Sequence, residues 1–357
     1  MSSPIIEQDI ETITRNISDI SGKLSGKTLL ITGGAGFLGN YFIGVIDCLN
    51  RNSLNKPCRI ISVDNFSTGV KYRIEEGPNF KAIRHNIKDQ IRIDEPVHFI
   101  IHAAGIASPK FYRELRIETI DVATLGTKNA LELAKDKKVE SMLYFSSSEV
   151  YGDPDPRFVP SPETYAGNVS CIGPRANYDE SKRLGETYCV AYYETHGVPV
   201  KMVRPFNVFG PGMRFDDYRV IPNFVSHMMQ GKPLPLYGGG SHTRTFCYIT
   251  DAITGFFKVL LSNYNGEPFN IGNENNEITM KQLAMIIAEL FDPNLKMDEI
   301  RGLNDAYSMA DPKRRCPDLA KIRTKLNYSP KVDIREGLKR FMDWARENYT
   351  YTAVSKQ

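Results

Sequence analysis

Tyr178 and Lys182 are the residues of this chain whose types and spacing best suit proton transfer. Residues four apart lie on one face of a helix, so the phenol and the ammonium could both reach one bound molecule. The ammonium favours the phenolate, and lowering a tyrosine pKa from about 10 to about 7 takes roughly 4 kcal/mol. Such a tyrosine could take the proton from a sugar hydroxyl while a hydride leaves the same carbon. The same spacing is also common on ordinary helices.

A glycine-rich run upstream of this pair predicts a dinucleotide site. Gly33, Gly36 and Gly39 follow a short apolar strand predicted at residues 27–32 and precede an apolar helical segment. Glycines at this spacing allow a tight turn, close approach of the backbone to a pyrophosphate, and close packing of helix on strand. The helix N-terminus adds amide donors for the phosphates. The alternative interpretation is a plain turn.

Asp64 directly follows a second predicted strand, residues 59–63. A carboxylate there would hold the adenosine ribose hydroxyls and repel a 2′-phosphate, which predicts NAD rather than NADP as the cofactor. An aspartate that merely caps a turn is the alternative. The next five residues would wrap the adenosine: Asn65, Phe66, Ser67, Thr68 and Gly69.

Strand-like and helix-like segments continue to alternate along the chain, which predicts an α/β fold with a doubly wound, Rossmann-type parallel sheet. Further strands are expected at residues 97–102, 141–145 and 200–204, each followed by small or polar residues. Ligands bind at such carboxyl ends. After Asn207 the connections become rich in proline and glycine, with helices expected at about 251–262, 279–291 and 334–348, which indicates a smaller, interwoven substrate domain. The predicted division is 1–25 for an N-terminal helix, 26–206 with returns at about 237–272 for the NAD-binding domain, and 207–236 with 273–350 for the substrate domain.

The N-terminal segment carries isoleucine and leucine at alternating steps of four and three, typical of an amphipathic helix with a heptad seam. These residues are Ile6, Ile10, Ile13, Ile17, Ile20 and Leu24. A helix folded against its own domain is the favoured interpretation, and pairing with a partner chain is the alternative.

The overall composition is that of a globular enzyme of 357 residues, 41% hydrophobic and 24% charged. A net charge of +3 gives no bulk preference for nucleic acid. The six cysteines form no Cys-x-x-Cys pair, which argues against structural zinc and favours a reducing compartment. With no signal-peptide pattern and no long apolar run, a cytoplasmic protein without membrane association is expected. The histidines show no metal-ligand spacing, so no metal site is predicted.

Several motifs together resemble the extended short-chain dehydrogenase/reductase superfamily, in its NAD-dependent nucleotide-sugar epimerase/dehydratase branch. The motifs are TGGAGFLG at 32–39, SSEVYGDP at 147–154, GPRANYDESKR at 173–183, RPFN at 204–207, TRTF at 243–246 and KRRCPD at 313–318. The resemblance covers nearly everything from residue 27 to 345, and within the branch it is closest to the UDP-glucuronic acid decarboxylases, the UDP-xylose synthases.

The resemblance implies an oxidation at C4 of the sugar, loss of the C5 carboxylate as carbon dioxide, and reduction of C4. Tyr178 would be the base, Ser147 would hydrogen-bond the same oxygen, and Lys182 would hold the ribose. Glu149 would lie beside the carboxylate and destabilise it or order a water. Arg315 would position the substrate and the incoming proton.

The remaining expected site residues bind rather than react. For the cofactor the resemblance adds Phe37, Leu38, Asn86, Ile87, Ala103, Ala104, Ser146, Pro205 and Val208. For the substrate it implies Ser108, Ser148, Arg175, Asn207, Arg219, Tyr237, Arg244 and Arg315, with Arg244 the best candidate for the diphosphate. Tyr237 is favoured as a core residue, and Arg175 has an exposed arginine at the start of a helix as its alternative interpretation.

Other activities remain open. A 4,6-dehydratase usually carries an Asp-Glu pair where this chain has Ser148 and Glu149, which makes dehydration less favoured. A 4-epimerase and an NAD-sensing regulator without chemistry are further alternatives. The resemblance implies homodimerisation through the helix carrying Tyr178 and a helix at about 114–137. An apolar stripe on the first of these helices, formed by Leu184, Tyr188, Ala191 and Tyr192, supports it.

Overall fold

A seven-stranded parallel sheet forms the centre of the protein, whose computed structural model describes residues 3–69, 72–300 and 311–349. The strands, in chain order, are β1 Thr28–Thr32, β2 Arg59–Asp64, β3 Phe80–Arg84, β4 Phe99–His102, β5 Ser141–Phe145, β6 Val200–Pro205, β7 Val208–Phe209, β8 Leu234–Tyr237, β9 Thr243–Thr245, β10 Cys247–Tyr248, β11 Pro268–Ile271, β12 Glu277–Thr279, β13 Met297–Ile300 and β14 Arg314–Arg315. The large sheet has the order β11-β6-β5-β4-β1-β2-β3. Small sheets are formed by β7 with β10, by β12, β9 and β14, and by β8 with β13.

Helices cover both faces of this sheet. They are α1 Pro4–Asn16, α2 Phe37–Asn52, α3 Pro109–Glu114, α4 Arg116–Lys137, α5 Ala176–His196, α6 Val220–Met229, α7 Ile249–Leu260, α8 Met280–Phe291, α9 Ala320–Leu326 and α10 Ile334–Asn348. Alternate residues of β1 face opposite layers, with Leu29 and Ile31 in the core beside α2 and α7, and Leu30 in the core beneath α4 and α5. Every residue of β1 is therefore buried, as expected of a strand covered on both faces. The predicted doubly wound α/β fold is confirmed.

The cofactor crevice is set by the strand order. Strand β1 pairs with β2 on one side and with β4 on the other, and the chain winds outward in both directions from this point. The carboxyl ends of β1 and β4 meet at Thr32 and His102. An open parallel sheet binds its ligand at such a switch in strand order. All the predicted polar clusters lie along this edge.

The N-terminal segment packs against its own domain, as the favoured interpretation expected. Ile13 and Ile17 are fully buried in the core that also contains α2 and α7. The contact with α2 is close, because a Cβ on Gly44 would lie 2.6 Å from Ile10 Cδ1. The prediction of one helix over residues 1–25 was wrong, since α1 ends at Asn16 and a short 3₁₀ turn, Ser21–Leu24, follows.

The C-terminal part returns once to the main sheet, where β11 pairs with β6 at the edge. Helices expected at 251–262, 279–291 and 334–348 correspond to α7, α8 and α10. Neither β3 nor α6 was predicted. Strand β3 is a half-exposed edge strand in which basic and apolar residues are mixed, so it lacks a clear strand pattern. The division into domains stays a prediction.

Candidate active site

The glycine-rich loop leaves no room for side chains. Gly33 has a φ of +73°, and a Cβ there would lie 2.7 Å from the Ala104 amide nitrogen. A Cβ on Gly39 would lie 2.4 Å from the Gly33 carbonyl oxygen. Gly36 is the N-cap of α2 and provides no side chain to its amides. The loop thus fits a pyrophosphate held by backbone N–H groups at a helix N-terminus.

Asp64 is fixed at the end of β2 by two backbone donors. The amides of Ala35 and Phe66 donate to its carboxylate at 2.9 and 2.8 Å. Burial raises the pKa of Asp64, and these hydrogen bonds oppose the rise. The carboxylate faces a cavity whose lining includes Gly33, Gly36, Asp64, Asn65, Ser67, Thr68, Gly69, Ile87, Ala103 and Ala104. These residues fit the adenosine half of NAD.

A second, larger cavity of about 400 Å³ shares Ala103 and Gly105 with the first. Of the predicted cofactor residues, its lining contains Leu38, Ala103, Ser146, Tyr178, Lys182, Pro205 and Val208. Four predicted cofactor residues line neither cavity: Phe37, Gly39, Phe66 and Asn86. The Asn86 side chain instead accepts a hydrogen bond from the Lys88 amide. Sequence reasoning missed His85 and Glu118, which line the adenosine end.

The tyrosine–lysine pair lies on α5 at the centre of the larger cavity. Lys182 Nζ donates to the Phe145 carbonyl at 2.7 Å and lies 5.9 Å from the centre of the Tyr178 ring. Burial raises the pKa of Tyr178 to about 12, although a hydrogen bond from the Ser147 hydroxyl lowers it. Burial also lowers the pKa of Lys182 to about 8. The expectation that the lysine would bring the phenol pKa down was wrong for the protein alone, because desolvation is the larger effect.

Glu149 lies between two arginines at the sugar end of the cavity. Its Oε1 accepts from Arg315 Nη1 and its Oε2 from Arg175 Nη2, both at 2.5 Å. Burial opposes ionisation, but the two guanidinium groups outweigh it and lower the pKa of Glu149 to about 2. Glu149 was expected beside the substrate carboxylate, to destabilise it or order a water. Its charge is instead balanced by the arginines.

Arg315 is buried with part of its hydrogen-bonding capacity unused. The residue is 1% exposed and lines the larger cavity. Its Nη1 contacts Glu149 and Ser148, whereas Nε and Nη2 have no hydrogen-bond partner among the described residues. A buried guanidinium is costly unless an anion or acceptor meets it. The site is therefore suited to a further anionic group.

Asp311 connects Arg244 to Arg175 in the wall of the cavity and was not predicted from the sequence. Its Oδ2 accepts from Arg244 Nη2 at 2.7 Å, and its Oδ1 accepts from Arg175 Nη1 at 3.1 Å. His242, expected to be structural or exposed, lines the cavity with Nδ1 at 3.4 Å from Asp311. Despite its burial, these groups hold the pKa of Asp311 well below its usual range. The only signal in the sequence was its position just before the basic run at 313–315.

Most other predicted substrate residues also line this cavity: Ser148, Arg175, Asn207, Arg219, Tyr237 and Arg244. Arg175 is 6% exposed, so its alternative as an exposed arginine was wrong. Tyr237 is 55% exposed at the cavity, so its placement in the core was also wrong. Arg219 donates to Asp217, and the Asn207 amide donates to the Thr245 carbonyl at 2.9 Å.

Ser108 lies beside the lining residues Ala107 and Pro109 rather than in the wall itself. Its hydroxyl is buried without a hydrogen-bond partner in the described parts of the chain. In those parts, no group of three His, Cys, Asp or Glu side chains could hold a metal ion. No helix there combines the length and apolar character required to cross a bilayer.

Comparison with known proteins places this site in a family. The model of the NAD dependent epimerase/dehydratase family matches residues 29–272. The chain belongs to this family. Membership confirms the resemblance drawn from the motifs and the prediction of NAD as the cofactor.

Relatives and solved structures narrow the comparison. The chain is 39% identical to UDP-glucuronic acid decarboxylase 3 of Arabidopsis thaliana over 313 residues, 87% of this chain and 86% of that protein. It is 39% identical to UDP-glucuronic acid decarboxylase 1 of Xenopus tropicalis over 330 residues, 92% of this chain and 74% of that protein. A Methanothermobacter thermautotrophicus epimerase superposes with a TM-score of 0.78 at 29% identity, covering 95% and 96% of the two chains. A Streptomyces venezuelae dTDP-glucose 4,6-dehydratase, solved with NAD, gives 0.76 at 25% identity, covering 90% and 97%.

Proposed function

We propose that this protein converts a nucleotide sugar through a 4-keto intermediate, and that its reaction is the decarboxylation of UDP-glucuronic acid to UDP-xylose. The observation that carries the proposal is the buried Arg315, which lines the cavity and whose Nε and Nη2 have no hydrogen-bond partner among the described residues. A substrate carboxylate would satisfy these donors in the two-pronged geometry that guanidinium groups favour. The relatives named as UDP-glucuronic acid decarboxylases support the same substrate.

The first step removes a proton from the C4 hydroxyl. Tyr178 accepts it, and the Ser147 hydroxyl beside Tyr178 stabilises the oxygen that carries the charge. Because burial keeps the phenol protonated in the protein alone, this transfer requires additional positive charge nearby. NAD⁺ held by the glycine-rich loop, Asp64 and Lys182 would supply that charge and would provide the acceptor and donor for the C4 hydride. Lys182, held by the Phe145 carbonyl, is placed to hydrogen-bond the ribose.

Loss of carbon dioxide follows from the chemistry of the oxidised sugar. A ketone at C4 makes the C5 carboxylate part of a β-keto acid, so the ketone can take up the electrons of the breaking bond. Arg315 orients the carboxylate, and Glu149 keeps part of that guanidinium occupied. With a pKa of about 2, Glu149 is ionised and does not donate a proton in this arrangement. Its role is to limit how tightly the arginines hold the departing group.

The diphosphate requires fixed positive charge, and Arg244 and Arg219 both line the cavity. Each is paired with an aspartate, Asp311 and Asp217 respectively, and Arg244 lies opposite Arg315 in the pairing of β9 with β14. Tyr237 presents an exposed ring at the same cavity and is suited to stacking on the nucleotide base. These contacts define a nucleotide-sugar site.

Two enzymatic alternatives and one non-enzymatic alternative are separated by a single assay. A dehydratase would require an acid where Ser148 stands, and an epimerase would leave the C5 carboxylate in place. A regulator without chemistry would not need Tyr178, Lys182 and Ser147 assembled in one cavity. The protein is incubated with UDP-glucuronic acid, UDP-glucose and dTDP-glucose, and the products are analysed by mass spectrometry. Loss of carbon dioxide from UDP-glucuronic acid is expected, and loss of water from a neutral hexose would refute the proposal.

The protein is further proposed to act as a homodimer in the cytoplasm. Helices α4 and α5 pack side by side and leave Ile117, Leu125 and Leu184 exposed. A second copy would bury this surface and hold the catalytic helix in place. Tyr192 does not belong to the exposed stripe, because it is buried and donates to Glu132. The mass in solution at micromolar concentration tests the assembly.

A further inference from the structure

A chain of buried hydrogen bonds runs behind the active site and joins the ends of neighbouring strands. Its first part lies next to the cofactor cavity. Ser146, at the end of β5, donates to Glu186 Oε1 at 2.5 Å. Arg204 in β6 donates to both oxygens of Glu186, at 2.8 and 2.6 Å. Glu186 follows Lys182 by one turn of α5, so this part ties the lysine-bearing helix to two strand ends.

Tyr151 extends the chain towards the sugar end of the cavity. Its hydroxyl accepts from Arg204 Nη1 at 2.9 Å and donates to Asn270 Oδ1 at 2.7 Å. Tyr151 is fully buried, and burial raises its pKa well above the usual range, so the hydroxyl stays neutral and can make both bonds. Asn270 then donates to the carbonyl oxygens of Ser161 and Asp318 at 2.9 and 3.0 Å.

These last contacts fix the backbone that carries Arg315. The Ser161 amide donates to the Cys316 carbonyl at 2.8 Å, and Asp318 lies three residues after Arg315. Strand β14 is only two residues long and pairs with β9, which places Arg315 opposite Arg244, while the Asn270 contacts connect the residues that follow it to the main sheet. Tyr151 also ends the 3₁₀ turn Ser148–Tyr151, which contains Glu149. Tyr151 is therefore connected to both members of the Glu149–Arg315 pair: to Glu149 through the backbone of this turn, and to the Arg315 segment through Asn270.

We propose that Tyr151 is a positioning residue for the loss of the carboxylate, acting through Asn270 on the placement of Arg315 and Glu149. The inference rests on the proposed function. Removing the hydroxyl leaves the Ser146–Glu186–Arg204 contacts intact, so the cofactor end stays in place. The Oδ1 atom of Asn270 loses the hydrogen bond from Tyr151. The backbone after Arg315 then loses its hydrogen-bonded connection, through Asn270, to the end of strand β6 in the main sheet. Misplacement of a reacting group by about 1 Å costs about 10²-fold in rate.

The test is Tyr151→Phe in the NAD-loaded protein, compared with wild type in single turnovers on UDP-glucuronic acid. Oxidation, followed by the absorbance of the reduced nicotinamide, should stay within about twofold of wild type. Carbon dioxide release should slow by about 10- to 100-fold, so that the reduced nicotinamide accumulates. Tyr165→Phe is the matched control, because Tyr165 stacks on Tyr151 but its hydroxyl only accepts from the Asp155 amide. The control should change neither step.

A binding measurement gives a readout that does not depend on turnover. In a Tyr178→Phe background, the ratio of the Kd values for UDP-glucose and UDP-glucuronic acid reports the carboxylate contact with Arg315. Adding Tyr151→Phe should lower this ratio. When Arg315→Lys is already present, Tyr151→Phe should lower the ratio no further, because Tyr151 acts on the carboxylate only through Arg315. If thermal melting shows that Tyr151→Phe is unfolded, Asn270→Ser is used, because its short side chain cannot connect Tyr151 to Asp318.

The outcomes separate the inference from the proposed function. Equal slowing of oxidation and decarboxylation, or an unchanged carboxylate preference, would overturn the role of Tyr151 and leave the decarboxylase assignment standing. A wild-type protein that releases no carbon dioxide would overturn the proposed function itself. A slowed decarboxylation with additive effects of Tyr151 and Arg315 would also reject the chain of contacts as the cause.

Discussion

Replacing Glu149 by glutamine should both destabilise the protein and separate the two halves of the proposed reaction. The carboxylate accepts from Arg315 and Arg175 at 2.5 Å each. Glutamine keeps the size and one acceptor oxygen. It removes the charge, however, and turns an NH₂ group towards one of the two guanidinium groups, so one hydrogen bond is lost as well.

The size of the effect follows from the pKa. A fall from 4.5 to about 2 corresponds to about 3 kcal/mol of favourable interaction with the ionised form. Removing one partner of a buried ion pair costs about 3–5 kcal/mol, which is the same range. Since the pKa of Glu149 is lowered on folding, its contribution is fully present above the unfolded value of about 4.5 and is lost as the pH falls through about 2. The variant should lose about 3 kcal/mol of unfolding free energy at neutral pH and less at acid pH.

Urea unfolding of wild type and variant measures this loss, with Glu180→Gln as the matched control. Glu180 lies on α5 and pairs with Arg183 at 3.6 Å on the surface, so its replacement should change the unfolding free energy by less than about 1 kcal/mol. In single turnovers, Glu149→Gln should still oxidise UDP-glucuronic acid but release carbon dioxide about 10²–10³-fold more slowly, the size of effect typical of one lost electrostatic contact at a reacting group, because the arginines then hold the carboxylate more tightly. A Glu149→Gln protein as stable as Glu180→Gln, or one that slows both steps equally, would refute the reasoning.

Three further changes test other parts of the site. Tyr178→Phe should abolish turnover while NAD stays bound, as measured by cofactor titration, and wild-type activity would exclude the phenol as the base. Asp64→Asn should narrow the preference for NAD over NADP by about tenfold, because the carboxylate no longer repels a 2′-phosphate, and an unchanged preference would mean that Asp64 does not face the ribose. Changing Ile117 and Leu184 together to aspartate should convert a dimer into a monomer by light scattering, and an unchanged mass would move the interface elsewhere.

Local features of the site could be predicted from the sequence because neighbours in the chain create them. The glycine run and Asp64 adjoin strand ends, so their place at the sheet edge follows once the strands are recognised. Tyr178 and Lys182 share one face of α5 through their spacing alone. The strand at 141–145 and the helix at 334–348 were also predicted with the observed bounds, because both are strongly patterned.

The charge network could not be predicted, because its members come from distant parts of the chain. Glu149 meets Arg315 across 166 residues, and Arg175 meets Asp311 across 136. No local pattern marks such pairs. The pKa of Tyr178 was misjudged for a related reason, since the effect of a neighbouring ammonium is apparent from spacing whereas the degree of burial is not.

The net charge of the whole chain, +3, does not report how charges are distributed at this site. Arg175, Arg244 and Arg315 face Glu149, Asp179 and Asp311, so three positive groups meet three acids within one cavity region. Burial and the nearby Glu149 raise the pKa of Asp179 to about 7, so close to neutral pH this acid is partly protonated. The cluster is then positive overall, and two buried nitrogens of Arg315, a residue that lines the cavity, have no hydrogen-bond partner among the described residues. The preference for an acidic sugar therefore arises locally, because the three arginines stay charged whereas burial leaves Asp179 partly protonated.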